Sequence, residues 1–363
     1  MFNSETPFKL GLTGLGIGQS IGIPAINLIP EIQLVAIHGR RFSVVDSLSH
    51  TLNIKGYTDF SAMVHDDDID GIWIATPPEP RWKMMQSCLN NGKHIFLEKP
   101  LSTSTNNMSE MIHLSAKRNL YSALDFEYRK VPLFIKAHEL IKSGLIGSPT
   151  SINIKWIMGN RLDSSIPWSW YNSTELGGGI INAIASHHID LLLWYFGDIV
   201  SVSTTARTLI KERIDDSSKT FRVCNSPETA FLSFEFANDA IGNIIVSGVT
   251  SHGPAQSIEI YGDEGRIFLY SENLQDAIRG FKLDAIGRGG TKLNLEAPYD
   301  SFDFSQPNGM ILPISILLRD WVNSINTQNP CSPNLLDGFK VQKVLDASHV
   351  SWLNGHKISI SFD

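Results

Sequence analysis

The chain has little cysteine. Cys88, Cys224 and Cys331 are the only three in 363 residues; they are widely separated and odd in number, which excludes a disulfide framework. No Cys/His cluster forms and the histidines lack HExxH-type spacing, so no metal site is expected. Basic charge is also scarce: 30 Lys and Arg face 37 Asp and Glu, a net charge of −7, with no basic cluster. That argues against nucleic acid or an anionic membrane as the partner. No apolar run approaches the length of a membrane span, and Met1 to Thr6 is short and polar, unlike a signal peptide. Reduced thiols and these absences lead to the expectation of a cytoplasmic protein. Low-complexity tracts are missing as well, and 42% of residues are apolar, so the chain is globular. Its length favours two domains over one core.

What is present begins with alternation. Apolar runs at Phe8–Thr13, Gln33–Ile37, Gly71–Ala75, His94–Leu97 and Tyr121–Asp125 read as strands. Between them lie helical stretches: Ile21–Leu28, Val44–Leu52, Arg81–Asn91 before the helix stop Gly92, and Asn107–Arg118. Such alternation predicts a mostly parallel sheet with helices on both faces.

Gly14-Leu15-Gly16-Ile17-Gly18 follows the first run. Gly14 suits a tight turn and Gly16 the close approach of a pyrophosphate, with the next helix aiming its N-terminus at the phosphates. The third fingerprint position is Gln19, since Gly18 comes one residue early. After the second run stand His38-Gly39-Arg40-Arg41, where an NAD-specific site usually carries Asp or Glu for the ribose hydroxyls. The guanidinium forks of Arg40 and Arg41 suit a 2′-phosphate, which predicts NADP(H), with NAD(H) as the alternative. Thr76-Pro77-Pro78 stops the fourth run with a stiff loop. Glu98-Lys99-Pro100 ends the fifth, at the carboxyl edge of the sheet where ligands of open α/β folds bind.

With these pieces in order, the chain resembles the glucose–fructose oxidoreductase/inositol dehydrogenase/MocA family. The resemblance rests on Gly14-Leu15-Gly16, Ile74-Ala75-Thr76-Pro77-Pro78 and Gly92 through Leu101. It continues through Gly144-Leu145-Ile146-Gly147, Gly177-Gly178-Gly179, His187-His188-Ile189-Asp190, Gly262-Asp263-Glu264-Gly265 and Asp337-Gly338. It implies an α/β Rossmann domain over residues 1–126 and an α+β substrate and oligomerisation domain over 127–363. The second domain would carry a large open, mainly antiparallel sheet, with a helix near 337–354 packing back towards the first domain. Strand-like runs at Ser151–Ile157, Ala230–Phe236, Ile241–Val249, Ser257–Ile260 and Arg266–Tyr270 agree, and Leu232, Phe234 and Phe236 share a face. A homodimer or homotetramer paired through the outer face of that sheet is implied.

The family's chemistry implies hydride transfer between a nicotinamide and a hydroxyl-bearing carbon of a sugar, cyclitol or similar polyhydroxylated molecule. A side chain must then take or give the hydroxyl proton. The resemblance maps this work onto Lys99 and His187, and cofactor contacts onto Gly14, Gly16, Ile17, Gly18, Arg40, Arg41, Thr76, Pro77, Pro78, Glu98 and Lys99. One departure stands out. Many family members place Asp four residues before the histidine, where this chain has Ala183; Asn182 beside it points elsewhere on a helix. Two rival expectations follow: an impaired NADP-binding sensor or scaffold, and an enzyme that recycles a tightly held cofactor. Substrate candidates are Tyr128 and Arg129 at the domain junction, Trp168, His188 and Asp190, with Trp170, Tyr171, Asn160 and Arg161 behind them. Asp190 is also placed to orient His187, and substrate choice is expected in residues 158–175 and 271–310.

Overall fold

Six short apolar runs build the first sheet: β1 (Phe8–Thr13), β2 (Ile32–His38), β3 (Lys55–Tyr57), β4 (Gly71–Ile74), β5 (His94–Leu97) and β6 (Ser122–Leu124). The structure is a computed structural model that describes residues 1–276, 278–290, 292–296 and 306–362. The strand order is β3-β2-β1-β4-β5-β6, and every neighbouring pair is parallel. Interior strands β1, β4 and β5 are buried almost throughout, as parallel strands covered on both faces must be. The order reverses between β1 and β4, which opens a crevice at their carboxyl ends.

The chain divides into two units, Met1–Glu127 with Ser305–Phe339 and Tyr128–Phe304 with Lys340–Asp363. The first break lies next to the expected boundary at 126, and the stretch up to Phe339 groups with the first unit as well. The cause is the helix Ile311–Thr327, whose Ile311, Ile314, Leu317, Leu318 and Trp321 fill the core beside the sheet. Trp321 meets Phe8 edge-on at 5.0 Å and Phe96 at 5.7 Å, and its indole N–H donates to the Tyr121 carbonyl. The next helix, Leu335–Asn354, covers the helix expected near 337–354 but changes unit within its length. Gly338 fits against Leu124, where a Cβ would come within 2.3 Å of a methyl group. Further along, Lys340 pairs with Asp198 at 2.7 Å and the Ser351 hydroxyl accepts from the Thr204 N–H at 2.9 Å.

In the second unit the strands are β7 (Pro149–Ile157), β8 (Ile199–Arg207), β9 (Glu212–Ile214), β10 (Phe221–Val223), β11 (Thr229–Phe236), β12 (Ile241–Ser247), β13 (Ala255–Gly262), β14 (Arg266–Ser271), β15 (Lys282–Ile286), β16 (Lys292–Glu296) and β17 (Ile358–Ser359). Nine form one sheet in the order β16-β15-β14-β13-β7-β12-β11-β8-β17, and β9 and β10 form a separate hairpin. Only β7 and β12 are parallel; the other pairs are antiparallel. The two-residue repeat sorts the faces. Leu232, Phe234 and Phe236 are at most 3% exposed, whereas Phe231, which points the other way, is 54% exposed. Among the described residues no helix is long and apolar enough to cross a membrane.

Replacing Trp321 with Ala leaves a large void in the first unit and is expected to cost about 3–5 kcal/mol. Urea denaturation followed by circular dichroism measures it; a loss below about 1 kcal/mol would contradict this packing.

Candidate active site

The turn after β1 has the geometry of a phosphate cradle. Gly14 has φ +97°, and a Cβ there would meet the Ala75 carbonyl oxygen at 2.4 Å, so only glycine fits. Gly16 is exposed and has nothing within 4 Å of where its Cβ would lie. That open space is what an approaching pyrophosphate needs. Gly18 takes over the role of the displaced third glycine, since its Cβ position lies 3.1 Å from a Leu12 methyl. The expected helix start at Ile21 is altered: a π-helical turn over Gly18–Gly22, preceded by Ile17, leads into Ile23–Ile26. These residues fit a dinucleotide.

At the end of β2, His38 is buried and bonds the Thr13 hydroxyl at 2.6 Å; burial holds its imidazole below the usual pKa. Arg40 and Arg41 follow and are exposed. The carboxylate of Asp59 is felt at His38, but it accepts from the Ser61 N–H at 2.9 Å and so caps the helix Phe60–Val64.

Two loops leave the carboxyl ends of β4 and β5, and one buried side chain joins them. Arg81, 3% exposed, donates from Nε to the Thr76 carbonyl at 2.9 Å and from Nη1 to the carbonyls of Glu98 and Pro100. It thereby fixes the loop carrying Thr76, Pro77 and Pro78 against the loop carrying Lys99. The side chain of Glu98, a cofactor candidate, is 4% exposed and turns inwards. It meets Asp125 and Glu127, each 2% exposed, which follow β6. Burial raises the carboxyls of both Glu98 and Asp125 above their ordinary range. Burial also lowers the Lys99 ammonium, opposed by the charges of Glu127, Glu98 and Asp125. Lys99 itself keeps a partly exposed position at the sheet's edge. The sequence reading missed Arg81, Asp125 and Glu127. The last two carried a signal in acidic residues at the end of the strand beside β5.

In the second unit the glycine triplet leads through a π-helical turn, Ile181–Ala185, into the helix Ser186–Phe196. His187 stacks on Tyr128, with ring centroids 4.7 Å apart and planes 19° from parallel. Two candidates are thus brought together. Asn182 is engaged elsewhere, with its side-chain oxygen 2.9 Å from His349 Nε2, and Ala183 presents no polar group. Three substrate candidates have partners within this unit. Arg129 and Asp190 bind each other, Nε to Oδ2 at 2.8 Å and Nη2 to Oδ1 at 2.6 Å, and Asp190 is fully buried. A bidentate pair in the interior is a structural clamp, and both Asp190 oxygens accept from Arg129. His188 is also fully buried, between the Ile184 carbonyl and Gln256. Trp168 lies under the Arg222 guanidinium at 3.3 Å and donates to the Val223 carbonyl, so the β9–β10 hairpin holds it. Arg161 stacks over Tyr171 at 4.4 Å. Trp170 and Tyr171 supply the backbone against which Gly178 packs. Asn160 lies close to Gly248. Of the stretch 271–310, residues 277, 291 and 297–305 lie outside the described residues.

Comparison with known proteins places the chain in a family. Residues 8–126 match the model of the oxidoreductase family with an NAD-binding Rossmann fold, and residues 134–268 match the GFO/IDH/MocA C-terminal domain. The chain is therefore an NAD-binding oxidoreductase of the GFO/IDH/MocA family. An uncharacterised oxidoreductase of Synechocystis is 29% identical, with 97% of this chain and 95% of that protein covered. Levoglucosan dehydrogenase of Pseudarthrobacter phenanthrenivorans is 26% identical over 93% of this chain and 91% of its own length. The myo-inositol 2-dehydrogenase of Thermotoga maritima is also 26% identical, covering 72% and 74%. A solved levoglucosan dehydrogenase in complex with NADH and levoglucosan shares the fold with a TM-score of 0.85 at 22% identity, covering 98% of this chain and 99% of that one.

Removing one partner of the buried clamp strands the other charge. Asp190→Ala is expected to lower stability by roughly 3–5 kcal/mol. Chemical denaturation tests this, and a change below about 1 kcal/mol would show that the pair is not a clamp.

Proposed function

We propose that this protein moves a hydride between NADP(H) and a hydroxyl-bearing carbon of a sugar or cyclitol, with Lys99 and His187 handling the proton. The observation that supports this reading is that each unit holds one proton-handling candidate in an ordered setting. Lys99 sits at the carboxyl edge of a dinucleotide-binding sheet among buried carboxylates, and His187 lies flat against Tyr128. The nicotinamide, when bound, supplies or accepts the hydride. Lys99 then polarises the substrate oxygen and stabilises developing negative charge on it. His187 exchanges the proton, and the ring of Tyr128 fixes the plane of the imidazole. Levoglucosan dehydrogenase and myo-inositol 2-dehydrogenase among the relatives support a polyhydroxylated substrate.

The preference for the phosphorylated cofactor rests on Arg40 and Arg41, exposed where a ribose-binding carboxylate would stand. Pairing of two copies through the outer face of the nine-stranded sheet is part of the same reading. That face carries Ser151, Asn153, Ser203, Ser233 and Asn243 around an open depression of about 400 Å³.

Lys99→Met and His187→Ala are each expected to lower kcat at least about 100-fold, with NADPH binding by fluorescence within about threefold of the parent. Absorbance at the NADPH band, read against a panel of sugars, cyclitols and their ketones, supplies the assay. Full turnover in either variant would overturn the assignment. No turnover on any panel member, with tight NADPH binding, would favour a sensor that has lost the reaction through Ala183. The dissociation constant for NADPH is expected to be at least about tenfold below that for NADH, about 1.4 kcal/mol. Arg40→Ala/Arg41→Ala should erase the difference; equal constants in the parent would refute the preference.

A further inference from the structure

Beneath Lys99 the first unit buries more ionisable groups than the proposed reaction requires. Four of them, Arg81, Glu98, Asp125 and Glu127, are each no more than 4% exposed. Their meeting is dictated by register. β5 and β6 are parallel, with Leu97 opposite Leu124, and the Asp125 N–H donates to the Leu97 carbonyl at 2.8 Å. The next residues in line are Glu98 and Asp125. Neighbouring strands lie about 4.8 Å apart, so these two buried carboxyls emerge side by side from adjacent strand ends, close enough to interact directly.

Two carboxylates cannot share a buried hydrogen bond unless one carries a proton. Charge balance points the same way. Arg81 and Lys99 bring two positive charges to the cluster, and Glu98, Asp125 and Glu127 bring three negative ones if all are ionised. One proton makes the cluster neutral, which burial strongly favours. Its location follows from the surroundings. The Arg81 guanidinium bonds the Glu98 backbone carbonyl and Lys99 is the next residue in the chain, so both cations lie on the Glu98 side of the pair, while Glu127 lies two residues from Asp125. Asp125 is therefore the acid and Glu98 the acceptor. Arg81, pushed down to about 10 by burial, remains cationic at neutral pH.

We propose that Asp125 is a protonated carboxylic acid in the working protein, donating to Glu98, and that this pair together with Arg81 is a positioning unit for Lys99. Arg81 fixes the backbone on either side of Lys99 through the carbonyls of Glu98 and Pro100. The shared proton leaves the Glu98–Asp125 pair a single negative charge, which with Glu127 keeps the Lys99 ammonium charged in its desolvated setting. The groups facing Lys99 are Glu98 beside it, Arg81 from the helix Arg81–Asn90, and Asp125 and Glu127 from the segment after β6. The proposal rests on the catalytic reading of Lys99 for its purpose, but its chemistry can be measured without turnover.

The sign of the pH effect is opposite to that of an ordinary salt-bridged aspartate. Between the unfolded and the raised folded pKa the native state holds the extra proton, so stability falls as pH rises through that window. Asp125→Asn supplies a neutral donor of the same shape and removes this dependence.

The test uses the full chain, the variants Asp125→Asn and Glu98→Gln/Asp125→Asn, and three readouts. Infrared difference spectra at neutral pH are expected to show a protonated-carboxyl band in the parent that is absent from Asp125→Asn. Urea denaturation is expected to show a smaller decline in stability with rising pH for Asp125→Asn than for the parent. Competitive acetylation of Lys99 with acetic anhydride, followed by peptide mass spectrometry, gives the pH midpoint of its amine. Asp125→Asn should leave that midpoint unchanged, because an amide replaces a neutral acid. The double variant should move it to lower pH by about one unit or more, because the pair's single negative charge is gone. A parent without the band, a band that survives in Asp125→Asn, or a midpoint that falls in the single variant would each overturn the proposal. If Lys99→Met retained turnover, the catalytic reading would fail while the state of Asp125 stood as measured.

Discussion

The parallel alignment of β4, β5 and β6 is the constraint on which the first unit's chemistry depends. Three strands ending at one level bring Thr76, the Glu98-Lys99-Pro100 turn and the Asp125–Glu127 segment to a single edge. Burial there makes each charge costly on its own, so the charges are retained as a set. Arg81 spans the set by bonding backbone carbonyls rather than carboxylates, which leaves the acidic groups to Lys99 and to one another. A lysine placed in this way has its position fixed by backbone and its charge fixed by neighbours. Those are separate controls, and loss of either disables it by a different route.

The second unit meets a related problem with different means. His187 lies in a helix entered through a π-helical turn, and the position that often carries a supporting aspartate is Ala183. The imidazole is braced by the face of Tyr128 instead. The carboxylate nearest in the helical sequence, Asp190, is claimed by Arg129. Aromatic stacking fixes the plane of a ring, so Tyr128 contributes orientation to this histidine where Ala183 contributes none.

The parallel sheet was legible because its strands are short, apolar and punctuated; Phe8–Thr13 and His94–Leu97 coincide with β1 and β5 residue for residue. The glycine turn was legible too, although its third glycine is displaced, because a positive φ and a close carbonyl leave no other residue at Gly14. The helix Ile311–Thr327 was not read from the sequence, and an amphipathic stripe does not say which core it fills. The serine- and threonine-rich β8 and the short β9, β10 and β17 lacked a clear apolar repeat. Arg129, His188 and Asp190 stood as ligand candidates that the sequence could not tell from packing residues, because a polar residue near a motif looks the same in sequence whether it faces a ligand or a buried partner. Arg81 went unnoticed for the converse reason: an arginine opening a helix after Pro80 reads as solvated, and only the fold turns it inwards.

The central claim is that Lys99, held by Arg81 and its acidic neighbours, acts on the reacting oxygen. A crystal structure of the ternary complex with NADPH and an oxidised sugar tests it most directly. The account predicts the Lys99 ammonium within hydrogen-bond reach, about 3 Å, of the carbonyl that receives the hydride. An ammonium turned away from the sugar and bonded only to Glu98 and Glu127 would contradict it.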